Sequence, residues 1–375
     1  MLEQALAIIN ASEDKFRALS DFIHANPEEA MVETQAAKRL AHDLAELGFE
    51  VTAPYSGIFT AFKAEKSFGS GGKHICFLCE YDALPVLGHA CGHNLIAAVA
   101  VAGAWAAAEM LREADFGGTI SVIGTPAEEG KGGKVIMLRN GAFDGVDNVL
   151  LSHPFSYTAI DPGALAVTRY TITFTGRQSH AAAAPHEGIN ALDAVNLMFA
   201  GIGAWRQQLP PGGMVHGIIS DGGDAPNIIP GSATAEFYIR SEEKNTQLIM
   251  EKRLENIAAG AALMTGCELD IKRCDNPYEP TLLNHDLSET VFELTHQLGM
   301  EPQRDMKERI STDFGNVSQH IPGVNFFFGI TDKANTPLHS VEFCNAAASD
   351  YAFDQAMKAA AVLAETALRL LKNEI

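Results

Sequence analysis

The chain has 375 residues, 47% of them hydrophobic and 20% charged, with a formal charge of −20. That length favours two domains over one, and the composition supplies a large core and argues against a disordered chain. The negative balance, with no Lys/Arg cluster to relieve it, excludes nucleic acid as the natural partner. An anionic ligand would need a specific Arg or a metal to receive it.

The first residues, MLEQALAIINASEDKF, lack the basic start and apolar stretch of a secretory signal. The longest apolar run, Ala97–Ala108, is too short to cross a bilayer. The six cysteines fall at irregular spacing, which does not suggest a disulfide framework. Cys76 and Cys79 have the spacing of a zinc knuckle, but they lie in the strand-like run HICFLCEY. Residues three apart on a strand point to opposite faces, which favours two structural thiols there. A cytoplasmic protein without a membrane partner is the expectation.

In chain order, residues 13–47 read as two helices broken at Asn26–Pro27. Short apolar runs follow at Phe59–Lys63, His74–Cys79, Thr119–Gly124 and Asn148–Ser152. Helical patterns at Leu95–Leu111 and Lys134–Asn140 separate the later runs. This alternation predicts an α/β domain, a sheet flanked by helices. The style changes near Gly163. Ala166–Phe174 alternates as a half-buried strand, a helix follows at Asn190–Gln208, and strands follow at Met214–Ser220 and Ala233–Ser241. A helix at Asn245–Thr265 and a strand at Glu268–Cys274 complete a strand-helix-strand-strand-helix-strand order, that of a ferredoxin-like α+β module. The first style returns with a helix at Asp286–Leu298, a strand at Val324–Ile330 and a final helix from Ala346. The chain therefore reads as an α/β domain (1–163 and 277–375) interrupted by an inserted module (164–276).

Polar clusters stand at the ends of the apolar runs, where α/β proteins place their sites. CEYDALPVLGHACGHN packs Glu80, Asp82, His89, Cys91 and His93 between a strand and a helix. One Gly separates Cys91 from His93, so a loop can aim thiolate and imidazole at one ion, and both are ligands a zinc-like metal accepts. Asp82 suits accepting a ring N–H there. A buried cysteine beside a helix-capping His–Asn pair is the plainer alternative. In GTPAEEGKGG, Glu128 and Glu129 repel unless the site offsets them; a metal on one leaves the other as a general base. A solvated acidic pair is the competing reading. His153 follows an apolar run in LLSHPF, and His339 lies in TPLHS; each alone is more often structural, but all four clusters sit near strand ends of the divided domain. The inserted module adds His180 in GRQSHAA, Asn227 in GGDAPNIIPG and Arg240 in FYIRS, which are equally well a cap, a turn and a surface ion pair.

Taken together, these residues resemble the M20 metallopeptidase family, and most closely its amidohydrolase branch, subfamily D. The match runs nearly end to end: IHANPEEAMVET (23–34), YDALP, GHACGHN, EEG, SHPF, GRQSHAA, NIIPG, STDFGNVS (311–318) and PLHS. The resemblance implies a mixed-sheet catalytic domain with an inserted lid and dimerisation domain. It implies two divalent metal ions, Zn2+ or Mn2+ with Co2+ and Ni2+ open, on Cys91, His93, Glu129, His153 and His339. Glu128 matches the general base, and His180 matches the lid histidine that binds the reacting carbonyl oxygen. Asn227 and Arg240 resemble positions that hold a substrate carboxylate. The implied activity is hydrolysis of the amide bond of a small N-acyl amino acid or dipeptide by a homodimer joined through the inserted domain. An exopeptidase on short peptides and a non-catalytic metal-binding protein on the same scaffold are the alternatives. Two positions depart from the family pattern: Glu80 stands where the wider clan has a ligand His, and Asn94 where many branch members carry Asp.

Overall fold

The computed structural model describes residues 1–160, 162–274, 276–304, 309–331 and 336–375. The chain divides into two compact units, one of residues 1–163, 281–308 and 316–375, the other of residues 164–280 and 309–315. Each has its own apolar core.

In chain order the first unit opens with helices α1 (Leu2–Asn10), α2 (Glu13–Ala25) and α3 (Thr34–Glu46). Strands β1 (Glu50–Thr52), β2 (Phe62–Phe68) and β3 (His74–Cys79) follow, then α4 (His93–Arg112), β4 (Gly118–Gly124), α5 (Gly133–Arg139), β5 (Asn148–Phe155) and β6 (Ala159–Ile160). The second unit contributes β7 (Ala166–Thr175), β8 (Ser179–His180), α6 (Ala191–Trp205), β9 (Met214–Asp221), β10 (Ile228–Ile229), β11 (Ser232–Ser241), α7 (Lys244–Thr265) and β12 (Glu268–Arg273). The chain ends with α8 (His285–Gln297), the short α9 (Phe314–Ser318), β13 (Gly323–Gly329), α10 (Val341–Ala346) and α11 (Asp350–Leu371).

The large sheet runs β1-β2-β4-β3-β5-β13-β6. Its four central strands are mutually parallel, and the flanking strands pair antiparallel. β3, β5 and β13 are buried almost throughout, as a parallel sheet covered by helices requires. Helix α4 is apolar all round and therefore lies inside. A Cβ at its Gly103 would stand 3.0 Å from the Ala360 carbonyl oxygen, so glycine lets α4 pack closely on α11. The parallel strands all deliver their carboxyl ends to one edge, and that edge carries the polar clusters.

The second unit is a four-stranded antiparallel sheet in the order β12-β7-β11-β9, with α6 and α7 packed into its core. With strands numbered within the unit this is the 4-1-3-2 arrangement of the ferredoxin-like module that the sequence order predicts. β7 and β11 alternate buried with less buried positions along most of their length. Asn190 caps α6 by accepting from the amides of Leu192 and Asp193.

Several boundaries differ from the expectation. The strand expected at Phe59–Lys63 begins instead at Phe62, because residues 55–61 close on themselves through Tyr55 N–Ala61 O and Ala61 N–Ile58 O bonds, leaving Phe59 exposed. The apolar run Ala97–Ala108 belongs to a 20-residue helix, α4, which by length and composition alone is long enough to cross a membrane. Most of that helix is inside the first unit. The final helix expected from Ala346 begins instead at Asp350, since Ala346 ends α10 and Ser349 caps α11 through the Ala352 amide.

Candidate metal centre

Four parallel strands position the site. Glu80 and Asp82 follow β3, Glu128 and Glu129 follow β4, His153 lies near the end of β5, and His339 follows β13. Cys91 and His93 bracket the start of α4 around Gly92, whose φ of +78° favours glycine. A Cβ there would meet Pro154 Cγ at 2.5 Å, so glycine also lets the Cys91–His93 corner approach the His153–Pro154 segment. In the acidic loop, Ala127 takes φ +64° immediately before Glu128. A Cβ on Gly133 would fall 1.7 Å from the Pro126 oxygen, so the loop closes only with glycine there. His339, at φ +60°, is anchored by its own amide to the Ala90 carbonyl, 3.0 Å away. Strained backbone of this kind persists where the surroundings impose it, often at functional sites.

The side chains these elements bring together are of ligand type. Cys91, His93 and His153 place donor atoms within 4.8 Å of one another, as do Cys91, Glu129 and His339, and His93, Glu128 and Glu129. Cys91 Sγ lies 3.5 Å from His153 Nε2, and His339 Nε2 lies 3.5 Å from Glu129 Oε1. Bonds of about 2.0–2.3 Å meeting at a tetrahedral angle separate two ligand atoms by roughly 3.4–3.6 Å, so both pairs have the spacing of ligands to a shared ion.

His93 and His153 are each turned by a partner on the far ring nitrogen, whereas the buried His89 has no hydrogen-bond partner on either among the described residues. His93 Nδ1 is 3.1 Å from Asp82 Oδ1, and His153 Nδ1 donates to the Pro154 carbonyl at 2.7 Å. That leaves both Nε2 atoms facing the cluster, as in carboxylate- or carbonyl-oriented metal histidines. Asp82 also accepts the Glu129 amide at 2.8 Å, so one carboxylate fixes a ring and the acidic loop together. His93 Nε2 and Glu129 Oε1 are buried without a hydrogen-bond partner. Such orphaned atoms are costly unless a cation satisfies them.

Burial opposes protonation of His93, but Cys91 and Asp82 outweigh it and raise its pKa well above the usual value, so a cation binding there displaces a proton. Burial lowers the His153 pKa to about 4, which keeps its imidazole neutral at pH 7, the form a metal ligand needs. Burial, reinforced by the neighbouring Glu129, pushes the Cys91 thiol well above its usual value. A bound cation reverses that preference and makes the thiolate a ligand. Burial opposes ionisation of Glu129, but the contacts with His339 and His93 outweigh it and hold its carboxyl below the usual range.

Among the buried ionisable side chains that the sequence reading did not single out are Lys134 and Glu33. Lys134, in α5, is fully buried with its Nζ 2.7 Å from Glu80 Oε1. Glu33 is also fully buried; it accepts from the Thr60 hydroxyl and the Met31 amide, and burial raises its pKa to about 7. Both stand in segments legible only as helix and turn. Asn94, the other departure from the family pattern, donates to Ser20 Oγ and the Ala347 carbonyl, tying α4 to α2 and to the residue after α10. Cys76 and Cys79 are buried in β3, and no ligand group among the described residues includes them.

His180, Asn227 and Arg240 belong to the second unit. His180 sits in β8 opposite Ile228 of β10, exposed, with its Nδ1 accepting the amides of Ala182 and Ala183 at 3.2 and 3.1 Å. An accepting Nδ1 puts the proton of the neutral ring on Nε2. The Asn227 carbonyl accepts the Ala181 amide, and Arg240 Nη1 donates to Ser311 Oγ at 2.8 Å.

The chain is similar to known proteins along most of its length. The profile described as Peptidase family M20/M25/M40 matches residues 79–369. The chain is 38% identical to a mouse (Mus musculus) Xaa-Arg dipeptidase over 97% of its own length and 87% of that protein's. It is 34% identical to a p-aminobenzoyl-glutamate hydrolase chain of Escherichia coli, over 78% of its length and 64% of that protein's. Among solved structures, a dinuclear metal binding peptidase of the M20 family from Bacillus subtilis superposes with a TM-score of 0.75 at 20% identity, covering 97% of this chain and 99% of that one. The profile match over most of the chain, together with relatives above 30% identity, places the chain in peptidase family M20/M25/M40, among the metal-dependent amidohydrolases.

Proposed function

We propose that the chain hydrolyses the amide bond of a dipeptide or N-acyl amino acid at a centre of two divalent cations. Cys91, His93, Glu129, His153 and His339 hold them, with Zn2+ or Mn2+ as the ions. The observation that carries this reading is the set of buried ligand atoms without hydrogen-bond partners, His93 Nε2 and Glu129 Oε1, beside the ligand-spaced pairs Cys91–His153 and Glu129–His339. Thiolate and imidazole suit a borderline ion such as Zn2+, and the carboxylate also suits Mn2+. When bound, the cations supply Lewis acidity and lower the pKa of water to roughly 7.

The residues of the chain do the rest. Glu128, adjacent to the ligand Glu129 and within the same ligand group as His93, takes the proton of the attacking water and passes it to the departing nitrogen. Asp82 keeps His93 in the tautomer whose Nε2 faces inward. We assign His180 as a donor to the carbonyl oxygen; the reading is supported by its Nε2 proton, fixed by the Ala182 and Ala183 amides. In the same reading the second unit acts as lid, with Asn227 and Arg240 receiving the substrate carboxylate, and as homodimer interface. The dimer reading is supported by the edge strand β9, which exposes Ile218 and Ile219. Six free thiols favour a reducing, cytoplasmic setting.

Glu128→Gln is the direct test. Turnover of dipeptides and N-acyl amino acids should fall by about 10²–10⁴-fold while the metal content, by elemental analysis, stays at the wild-type level. Loss of the metal in that variant would remove Glu128 from the role of base. Side-by-side assays of free and N-acylated substrates separate a dipeptidase from an aminoacylase.

A further inference from the structure

Glu80 and Lys134 form a buried charge pair that the reaction scheme leaves unused. Glu80 directly follows β3, Lys134 is the second residue of α5, and their side chains are 1% and 0% exposed. Lys134 Nζ holds one carboxylate oxygen, Oε1, at 2.7 Å. The other, Oε2, is buried without a hydrogen-bond partner and faces His93 Nε2 at 3.6 Å. His93 Nε2 is itself orphaned, because Asp82 occupies the opposite nitrogen.

A carboxylate oxygen and an imidazole nitrogen, each able to give an electron pair to a cation, face each other across this gap. A direct N–H···O bond does not describe the gap, since such bonds run about 2.7–3.2 Å. Two ligands on one ion do: bonds of about 2.0–2.1 Å opening at an angle of roughly 110–120° separate N and O by roughly 3.4–3.6 Å. The same spacing holds for Cys91–His153 and Glu129–His339, at 3.5 Å each. The pair His93 Nε2–Glu129 Oε1 is wider, at 3.9 Å. On spacing, Glu80 is a better companion ligand for His93 than Glu129 is.

We propose that Glu80 is a sixth protein ligand of the metal centre, supplying Oε2 to the cation held by His93 Nε2, and that Lys134 is its positioning residue. Lys134 saturates Oε1, so the carboxylate presents one oxygen only, and it offsets the added negative charge. This rests on the two-metal reading and adds a residue that the five-ligand set leaves out.

The test uses the full chain, stripped of metal and titrated with Zn2+, with bound ion counted after dialysis against graded chelator. Removing one partner of a buried pair leaves the other uncompensated, so the informative variant removes both charges, Glu80→Gln with Lys134→Met. That protein should melt near the wild type without metal, yet hold one of its two ions about 10–100-fold more weakly. Lys134→Met alone should gain more in melting temperature from metal than the wild type does, because the ion then offsets the unpaired Glu80. A folded double variant that binds both ions with wild-type affinity overturns the proposal. A crystal structure of the zinc-loaded wild type needs no variant: Glu80 Oε2 within about 2.3 Å of an ion supports the assignment, and a separation beyond about 3 Å overturns it. A wild-type chain that binds no zinc sinks the two-metal reading itself, and this inference with it.

Discussion

In the first unit Cys91, His93 and His153 are buried, the two rings turned by Asp82 and the Pro154 carbonyl, beside the carboxylates of Glu128 and Glu129. In the second unit His180 and Asn227 are exposed and fastened to their own backbone neighbourhood. The first pattern concentrates thiol, imidazole and carboxylate groups away from water, an arrangement that a bound cation would stabilise. The second fixes a hydrogen-bond donor, but it is satisfied by solvent when no substrate is present. The contrast separates two jobs. Residues of the buried pattern should govern whether metal is held, and those of the exposed pattern should govern turnover or substrate affinity with metal untouched. His339 bridges the categories: it is half-exposed yet ligand-spaced from Glu129.

The sharpest way to break this division is His180→Ala. Turnover should fall by about 10²–10³-fold, the usual cost of one oxyanion donor, while bound metal and melting temperature match the wild type. A drop in metal content would place His180 with the ligands and erase the distinction. His180→Gln, which keeps a donor at similar reach, should recover part of the loss.

Asp82→Asn tests the buried side. An amide at Oδ1 or Oδ2 must either turn a donor toward His93 Nδ1–H or lose the Glu129 amide that Asp82 now accepts. Metal affinity should weaken by about 10–100-fold, read by chelator competition, and excess metal should restore most of the activity. Activity lost at saturating metal would instead give Asp82 a direct part in the chemistry.

This division explains which features were legible in the sequence. The proposed ligand residues lie near strand ends or in the loops that follow them, and such ends are visible as apolar runs that stop; Gly124 before Glu128 is one, and Pro154 after His153 is another. The ferredoxin-like module was legible for the same reason, since β7 and β11 alternate as half-buried strands must. Tertiary charge pairing was not legible. Nothing in the local sequence distinguishes Lys134, fully buried on Glu80, from the solvated lysines of any short helix, and Glu33 reads as a turn residue although it is sealed against Thr60. The strand expected at Phe59 failed because four apolar or β-branched residues in a row look alike whether they extend or turn. The backbone bonds that decided it, Tyr55 to Ala61 and Ala61 to Ile58, have no side-chain signature.

The smallest expected effect belongs to Arg240. Its guanidinium lies 5.9 Å from the Tyr238 ring centre and donates through Nη1 to Ser311, so part of its donor fork is already used. A charged hydrogen bond to a substrate carboxylate is worth about 1.5–3 kcal/mol, and partial exposure places this one at the lower end. Arg240→Ala should therefore raise KM about tenfold for substrates with a free C-terminal carboxylate and leave kcat nearly unchanged, the signature of uniform binding lost. Substrates with that carboxylate amidated should show no such change, because the wild type gains nothing from Arg240 there. Equal losses on both substrate forms would mean that the Ser311 tie, and not carboxylate recognition, is what Arg240 contributes.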